Sequence, residues 1–248
     1  MFCGIWRRQN RFAIKCCYEL VVFFTDINVQ QKDIFLASEA DAWFERNHQA
    51  CLERDFANDD LVARIVARIV SRVSLHGGGP IKLLEIGCGE GRRLEWLAKN
   101  FNIEVYGIEP SAKAVEQACS RGVKAQRGTA DTLPFETASF DIVVFGFCLY
   151  LCDRQDLFRI ACEADRVLKP KAWVIINDFF SSTPMKREYH HKSGMYSYKM
   201  DYRTIFDWHP AYTCYEHKLT SHSLGDLIDD PQEWVAISLL RKVTTSNE

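Results

Sequence analysis

From Ile81 to Phe180 the chain alternates short apolar runs with segments of helical period, and that alternation narrows its fold more than any other feature. Residues 81–87 (IKLLEIG), 103–109 (IEVYGIE), 124–128 (KAQRG), 139–148 (SFDIVVFGFC) and 172–180 (AWVIINDFF) read as strands. Residues 91–101, 111–122 and 154–168 read as the helices between them, the last ended by Lys169-Pro170. Strands that are apolar without a break are buried on both faces, and helical crossovers between them imply parallel pairing. Two further strand patterns, CYEHKLTSHS and EWVAISLLRKV, are separated only by the turn-rich LGDLIDDPQ and predict an antiparallel pair. The fold class is therefore α/β, a doubly wound, seven-stranded, mostly parallel sheet whose last strand is antiparallel.

Around that core the chain divides unevenly. Residues 1–36 mix basic and aromatic residues without a sustained period and are set outside the fold as a poorly structured extension, with a membrane-surface segment as the alternative. One domain is expected over 37–248. Its cap helices span 38–75, the core 81–180, an acceptor-side insertion 181–212 and the terminal strands 213–244. Order is predicted to begin at Ser38, where SEAD has capping-box spacing. A second cap helix runs over 58–74 with Leu61, Val62, Ile65, Val66, Ile69, Val70 and Val73 on one face. Arg64, Arg68 and Arg72 fall on another and read as a solvated face. Ser193-Gly194 predicts a hairpin within the insertion.

Composition closes off several classes. The formal net charge is −2, so no global field recruits nucleic acid or an anionic membrane surface. No run approaches the length of a membrane span. The ten cysteines contain no CxxC pair and do not suit a small, loop-rich secreted chain; reduced, mostly buried thiols in a cytosolic protein are expected, with no metal site.

The first strand ends in Glu85-Ile86-Gly87-Cys88-Gly89-Glu90-Gly91, at the carboxyl edge where open parallel sheets bind ligands. A dinucleotide loop is spaced G-x-G-x-x-G; here the spacing is G-x-G-x-G, with Arg92 in the last glycine's place. An acid two residues before the loop opposes a pyrophosphate and suits a cationic amine. The ligand this predicts is a nucleoside with an amino-acid tail. The stretch E-x-G-x-G-x-G resembles motif I of the class I S-adenosylmethionine-dependent methyltransferases. GTADTLPFETASFDIVV (128–144) resembles the G-D-A-x-x-L-P-F-x-x-x-S-F-D-x-V stretch of the type 11 and ubiquinone-biosynthesis-like small-molecule members.

The resemblance implies the Rossmann-like methyltransferase fold with S-adenosyl-L-methionine as cofactor. Glu85, Gly87, Cys88, Gly89, Gly91, Glu109, Pro110, Thr129, Ala130, Asp131 and Phe147 would contact it. Glu109 ends the second strand, where the family places an acid on the ribose hydroxyls. Thr129 stands where the family usually has the acid that meets the adenine amine. No Asn-Pro-Pro-Tyr-like signature follows the fourth strand, which argues against nucleobase or glutamine methylation. The implied reaction is methyl transfer to a small molecule, most readily at a hydroxyl of a sugar or carboxylated metabolite. Such an acceptor needs a base, for which His190, His191 and His209 in the aromatic insertion are the candidates. His190 and His191 alternate along a presumed strand, so one of the two would face the site. A cofactor- or partner-binding module without turnover and a nicotinamide oxidoreductase are the alternatives.

Overall fold

The computed structural model describes residues 30–48, 55–74, 79–222 and 229–243; residues 1–29 of the expected extension, Cys51 and the turn at 223–228 lie outside them. The strands are β1 (Ile81–Ile86), β2 (Ile103–Glu109), β3 (Lys124–Arg127), β4 (Phe140–Gly146), β5 (Leu168–Phe179), β6 (Met185–Glu188), β7 (Tyr196–Lys199), β8 (Tyr212–Ser221) and β9 (Trp234–Lys242). Seven of them form one sheet in the order β3-β2-β1-β4-β5-β9-β8, and β6 and β7 form a separate hairpin. The first five sheet strands are parallel; β9 is antiparallel to β5 and to β8. The sequence expectation of a mostly parallel seven-stranded sheet with an antiparallel end holds.

The helices are α1 (Gln31–Ile34), continued through a π-helical stretch Phe35–Glu39 into α2 (Ala40–Asn47), then α3 (Leu61–Ser74), α4 (Arg92–Asn100), α5 (Ala112–Ser120) and α6 (Leu157–Val167). Alternate side chains of each central strand join opposite layers, as the two-residue strand period requires. Leu83, Ile142, Val144 and Ile175 pack with Val62 and Val66 of α3 and Leu94 and Leu97 of α4. Leu84, Val143, Phe145, Val174 and Ile176 pack with Ile160, Ala164 and Val167 of α6. Each fully buried side chain of this size contributes roughly 1.5–3 kcal/mol, so both faces of the sheet are anchored.

Two boundaries differ from the sequence reading. α6 passes directly into β5 at Leu168, and Lys169-Pro170 lies in the strand. The strand tolerates a residue without an N–H there because its register with β4 shifts between Phe140 and Ile142. The first helix begins at Gln31, ahead of Ser38, which sits inside the π-helical stretch and caps nothing. Its cap comes from far along the chain: the Asp153 carboxylate accepts the N–H groups of Gln31 (3.2 Å) and Lys32 (3.0 Å). No local pattern encodes a cap of that kind.

This first helix forms a cover over the carboxyl ends of the strands. Ile34, Phe35 and Trp43 pack on a third apolar cluster of Tyr150, Leu151, Tyr189 and Met195. Gln31, buried, donates from Nε2 to the carbonyls of Leu151 (2.6 Å) and Tyr196 (2.8 Å) and accepts the Tyr196 N–H at 2.7 Å. One amide thus pins α1 to the loop after β4 and to β7. Gln31→Ala leaves those backbone groups unpaired, which costs about 1–3 kcal/mol. Hydrogen exchange should then quicken in residues 31–47 and 185–199 while β1 and β4 stay protected.

Candidate active site

The ends of β1, β2, β4 and β5 bring the sequence-predicted loop residues together. Gly87 (φ +76°) and Gly89 (φ +53°) both adopt the left-handed region that favours glycine. They do so for different reasons. A Cβ on Gly87 would stand 2.7 Å from Cys148 Cβ, whereas one on Gly89 would meet no atom within 4 Å. Packing of the protein therefore explains Gly87. At Gly89 the open side leaves the backbone free for a ligand to approach.

Two buried acids frame the loop. The sequence predicts that Glu85 meets a cation on the ligand; in the structure its carboxylate pairs with the Arg93 guanidinium of α4, which also pairs with Asp60 at 3.0 Å. Arg93 takes the role because α4 begins beside the strand end and turns this side chain back under the loop. Glu109 accepts the Gly89 N–H at 3.0 Å and the Ser111 N–H at 2.9 Å. Burial pushes its carboxyl up to about 7, against the pull of those two N–H donors. Ser111 caps α5 and donates to Asp41 of α2 at 2.6 Å, so the cover is hydrogen-bonded to the same corner.

On the next side of the site, Thr129 and Thr132 form a bridge, and Asp131 is buried against Lys32 of α1 at 2.8 Å. That hydrogen bond and the nearby charge hold the Asp131 carboxyl below its usual range despite burial. Lys32 also reaches Asp156 at 3.2 Å. Neither sequence pattern nor motif marks Lys32 as part of this corner.

Beyond β4, Phe147 takes φ +57°, unusual for an aromatic residue, and donates its N–H to the Asn177 carbonyl at 2.9 Å. Its ring stands edge-on to Phe179 at 5.3 Å, and Tyr150 meets the same Phe179 ring at 5.1 Å. Asp178, buried and pushed up to about 7 by that burial, accepts the N–H of Leu149 at 2.8 Å and so fixes the turn that carries Tyr150.

The three predicted histidines are not at this place. His190 and His191 lie in the hairpin turn between β6 and β7, both exposed, with ring centroids 3.7 Å apart. They belong to no strand, so the alternation argument does not apply. His209 packs on Tyr212, and Tyr212 pairs with Lys242 beside the amino end of β5. The length of β8 puts that end roughly 30 Å from the site. The histidine that does reach the site is His222, just past β8, with its ring 5.2 Å from Phe179 and 5.9 Å from Phe147. Antiparallel pairing returns the end of β8 to the carboxyl edge of β5, which a local reading of TSHS does not reveal.

Residues 84–176 match a family model described as a methyltransferase domain. Over 147 residues the chain is 31% identical to the 27-O-demethylrifamycin SV methyltransferase of Amycolatopsis mediterranei, covering 55% of this chain and 52% of that protein. It is 30% identical over 102 residues to a fatty-acid O-methyltransferase of Mycolicibacterium smegmatis, covering 39% of this chain and 36% of that protein. The chain thus spans about half the length, or less, of these curated relatives. Among solved structures it superposes on the 1,6-didemethyltoxoflavin-N1-methyltransferase of Burkholderia thailandensis, which holds its substrate and S-adenosylhomocysteine. That TM-score is 0.60 at 14% identity, covering 86% of this chain and 90% of that one. The [4+2]-cyclase SpnF gives a TM-score of 0.58 at 17% identity, covering 87% and 98%.

Residues 84–176 therefore carry a methyltransferase domain, with S-adenosylmethionine as its cofactor. The geometry of the loop suits that cofactor: open space over Gly89 and a buried acid at Glu109 lie side by side at the strand ends. The open groove between α2 and α5, lined by Phe44, His48, Lys113 and Gln117, includes none of the glycine-loop residues.

An ionised Glu109 is the better acceptor for ligand hydroxyls. Because the free protein holds a proton there below about pH 7, affinity for S-adenosylhomocysteine should rise with pH through that point. The slope approaches about tenfold per pH unit below it. Titration calorimetry of Glu109→Gln should show the slope flattened and, at pH 8, affinity about tenfold or more weaker, equivalent to ~1.4 kcal/mol.

Proposed function

We propose that this methyltransferase transfers the methyl group of S-adenosylmethionine to a hydroxyl oxygen of a small-molecule acceptor. The observation that carries the reading is the Glu109 carboxylate, buried and bonded to the N–H of Gly89 in the glycine loop. Glu109 and Pro110 would hold the ribose, with the main chain of Gly87, Cys88, Gly89 and Gly91 against the amino-acid tail. Thr129, Ala130 and Asp131 would border the adenine, closed off by Lys32, and Phe147 would border the methyl group. Glu85 acts through Arg93, fixing the loop rather than touching the ligand.

The cofactor, when bound, supplies a methyl group already activated as a sulfonium. What remains for the protein is orientation, dryness and proton removal. Orientation contributes up to roughly 7–11 kcal/mol in favourable cases. Phe147, Tyr150 and Phe179 form apolar walls on the acceptor side, with their ring edges locked on one another. His222, at the rim of those walls, would take the proton that the acceptor hydroxyl loses on methylation. A second reading, binding without turnover, is favoured by Thr129, whose hydroxyl lacks the charge of the acid usual at that position.

Release of S-adenosylhomocysteine from S-adenosylmethionine, measured across hydroxylated acceptors, separates the two. Turnover should appear, and His222→Ala should lower kcat by about 10²–10⁴ while leaving cofactor affinity unchanged. His190→Ala, His191→Ala and His209→Ala should stay near wild type, as surface substitutions do, within about 0.5 kcal/mol. Cofactor binding without release for any acceptor would favour the module.

A further inference from the structure

The ring of Phe179 is the meeting point of the acceptor side, and it carries a charge that the reaction has not used. Lys199, the last residue of β7, places its Nζ 4.4 Å from the Phe179 centroid. The same ring contacts Phe147, Tyr150 and His222. Lys199 is half-buried, and its ammonium donates to the Gln232 carbonyl. A lysine has three donors, so this bond leaves others to turn toward the site.

Two lysines near the cover, on α1 and α5, are answered by acids. Lys32 pairs with Asp131 and Asp156, and Lys113 pairs with Glu45. Among the described residues no carboxylate lies within ion-pair distance of Lys199; Asp230 and Glu233 influence it only at longer range. Hairpin register adds to the imbalance. Lys199 faces Met185, and Arg187, two residues on, shares that face, whereas the acid Glu188 is on the opposite one with Lys186 and Tyr196. Burial, with Arg187 as a like charge, lowers the Lys199 pKa below the usual lysine range. This half-buried cation is met by a carbonyl and a ring but by no acid, and an anionic ligand group would complete its pairing.

We propose that Lys199 anchors an acidic group of the acceptor, so that the substrates of this site are hydroxylated organic acids whose hydroxyl lies toward His222. The inference rests on the methyltransferase reading above and names its substrate class. The acid is held and the hydroxyl is methylated. Lys199 and His222 both lie against the Phe179 ring, at 4.4 Å and 5.2 Å from its centroid, and the aromatic walls suit an apolar body beside them. A carboxylate and a phosphate monoester both satisfy this chemistry.

The test is titration calorimetry on the protein loaded with S-adenosylhomocysteine. The probes are 4-hydroxybenzoate, 4-hydroxycinnamate and 3-hydroxydecanoate, each against its carboxamide, and 4-hydroxyphenyl phosphate against hydroquinone. At least one acid should bind about tenfold or more tighter than its neutral partner. Lys199→Met should abolish that gap without changing S-adenosylhomocysteine affinity, and Lys199→Arg should restore most of it. Whether the carboxylates or the phosphate show the gap identifies the acid. Acids that bind no better than their neutral partners, or a gap that survives Lys199→Met, overturn the proposal while cofactor binding leaves the methyltransferase reading standing. Failure to bind S-adenosylhomocysteine would instead sink that earlier reading.

Discussion

A carboxylate at the end of an apolar strand is the constraint around which this structure is arranged. Glu85 follows Leu83 and Leu84 into the interior, where an ionised acid without a partner would be far too costly. Arg93 answers it from α4, and Asp60 answers the remaining face of the guanidinium from the start of α3. The two acids hold the Arg93 pKa well above its usual value despite the burial that opposes it. Asp60 also accepts the Ala63 N–H at 2.8 Å, so one ionic cluster sets the strand end, the helix after the loop and the cap of a third element. The left-handed glycines lie between these fixed points, which gives the loop a defined shape before any ligand arrives.

The cover depends on the same corner through hydrogen bonds. Gly89 bonds to Glu109, Glu109 to Ser111, and Ser111 to Asp41 of α2. At the other end of the cover, Lys32 lies on Asp131 and Gln31 on the backbone of β7. The groups that would meet the cofactor are therefore the groups that hold the cover down. A ligand that drew the Glu109 carboxylate toward its own hydroxyls would compete with this network of hydrogen bonds.

Periodicity made the sheet legible. Alternate strand residues had to enter opposite layers, and runs such as DIVVFG and AWVIIND leave no other arrangement. The glycine spacing and Glu109 were legible for a similar reason: a local motif encodes a local geometry. What stayed hidden depended on distant segments. The helix at Gln31 is capped by Asp153, a Lys32 ammonium occupies Asp131, and Arg93 takes the place assigned to a ligand amine. Thiol burial was misjudged too, since the described cysteines are free but Cys119 and Cys214 are exposed at element surfaces. The histidines failed on topology. His209 belongs to the amino end of the sheet, whereas His222 reaches the carboxyl end because β8 runs back along β9.

This division has a consequence for how acceptor chemistry is encoded. The glycine loop, Glu109 and Thr129 through Asp131 all lie within 84–176, the segment that matches the family model. Lys199 and His222 lie outside it, at the end of the hairpin and just past β8. Antiparallel pairing with β9 returns β8 to the carboxyl edge, and the Gln31 amide ties the hairpin to the cover at that edge. A hairpin face can thus exchange Lys199 for a neutral residue without disturbing β1, β4 or the loop. On the proposed reading, buried acids whose loss costs stability would meet the cofactor, and more exposed residues whose loss does not would meet the acceptor. On that reading the second set is free to diverge while the first stays in place, and acceptor preference would change without cost to the fold.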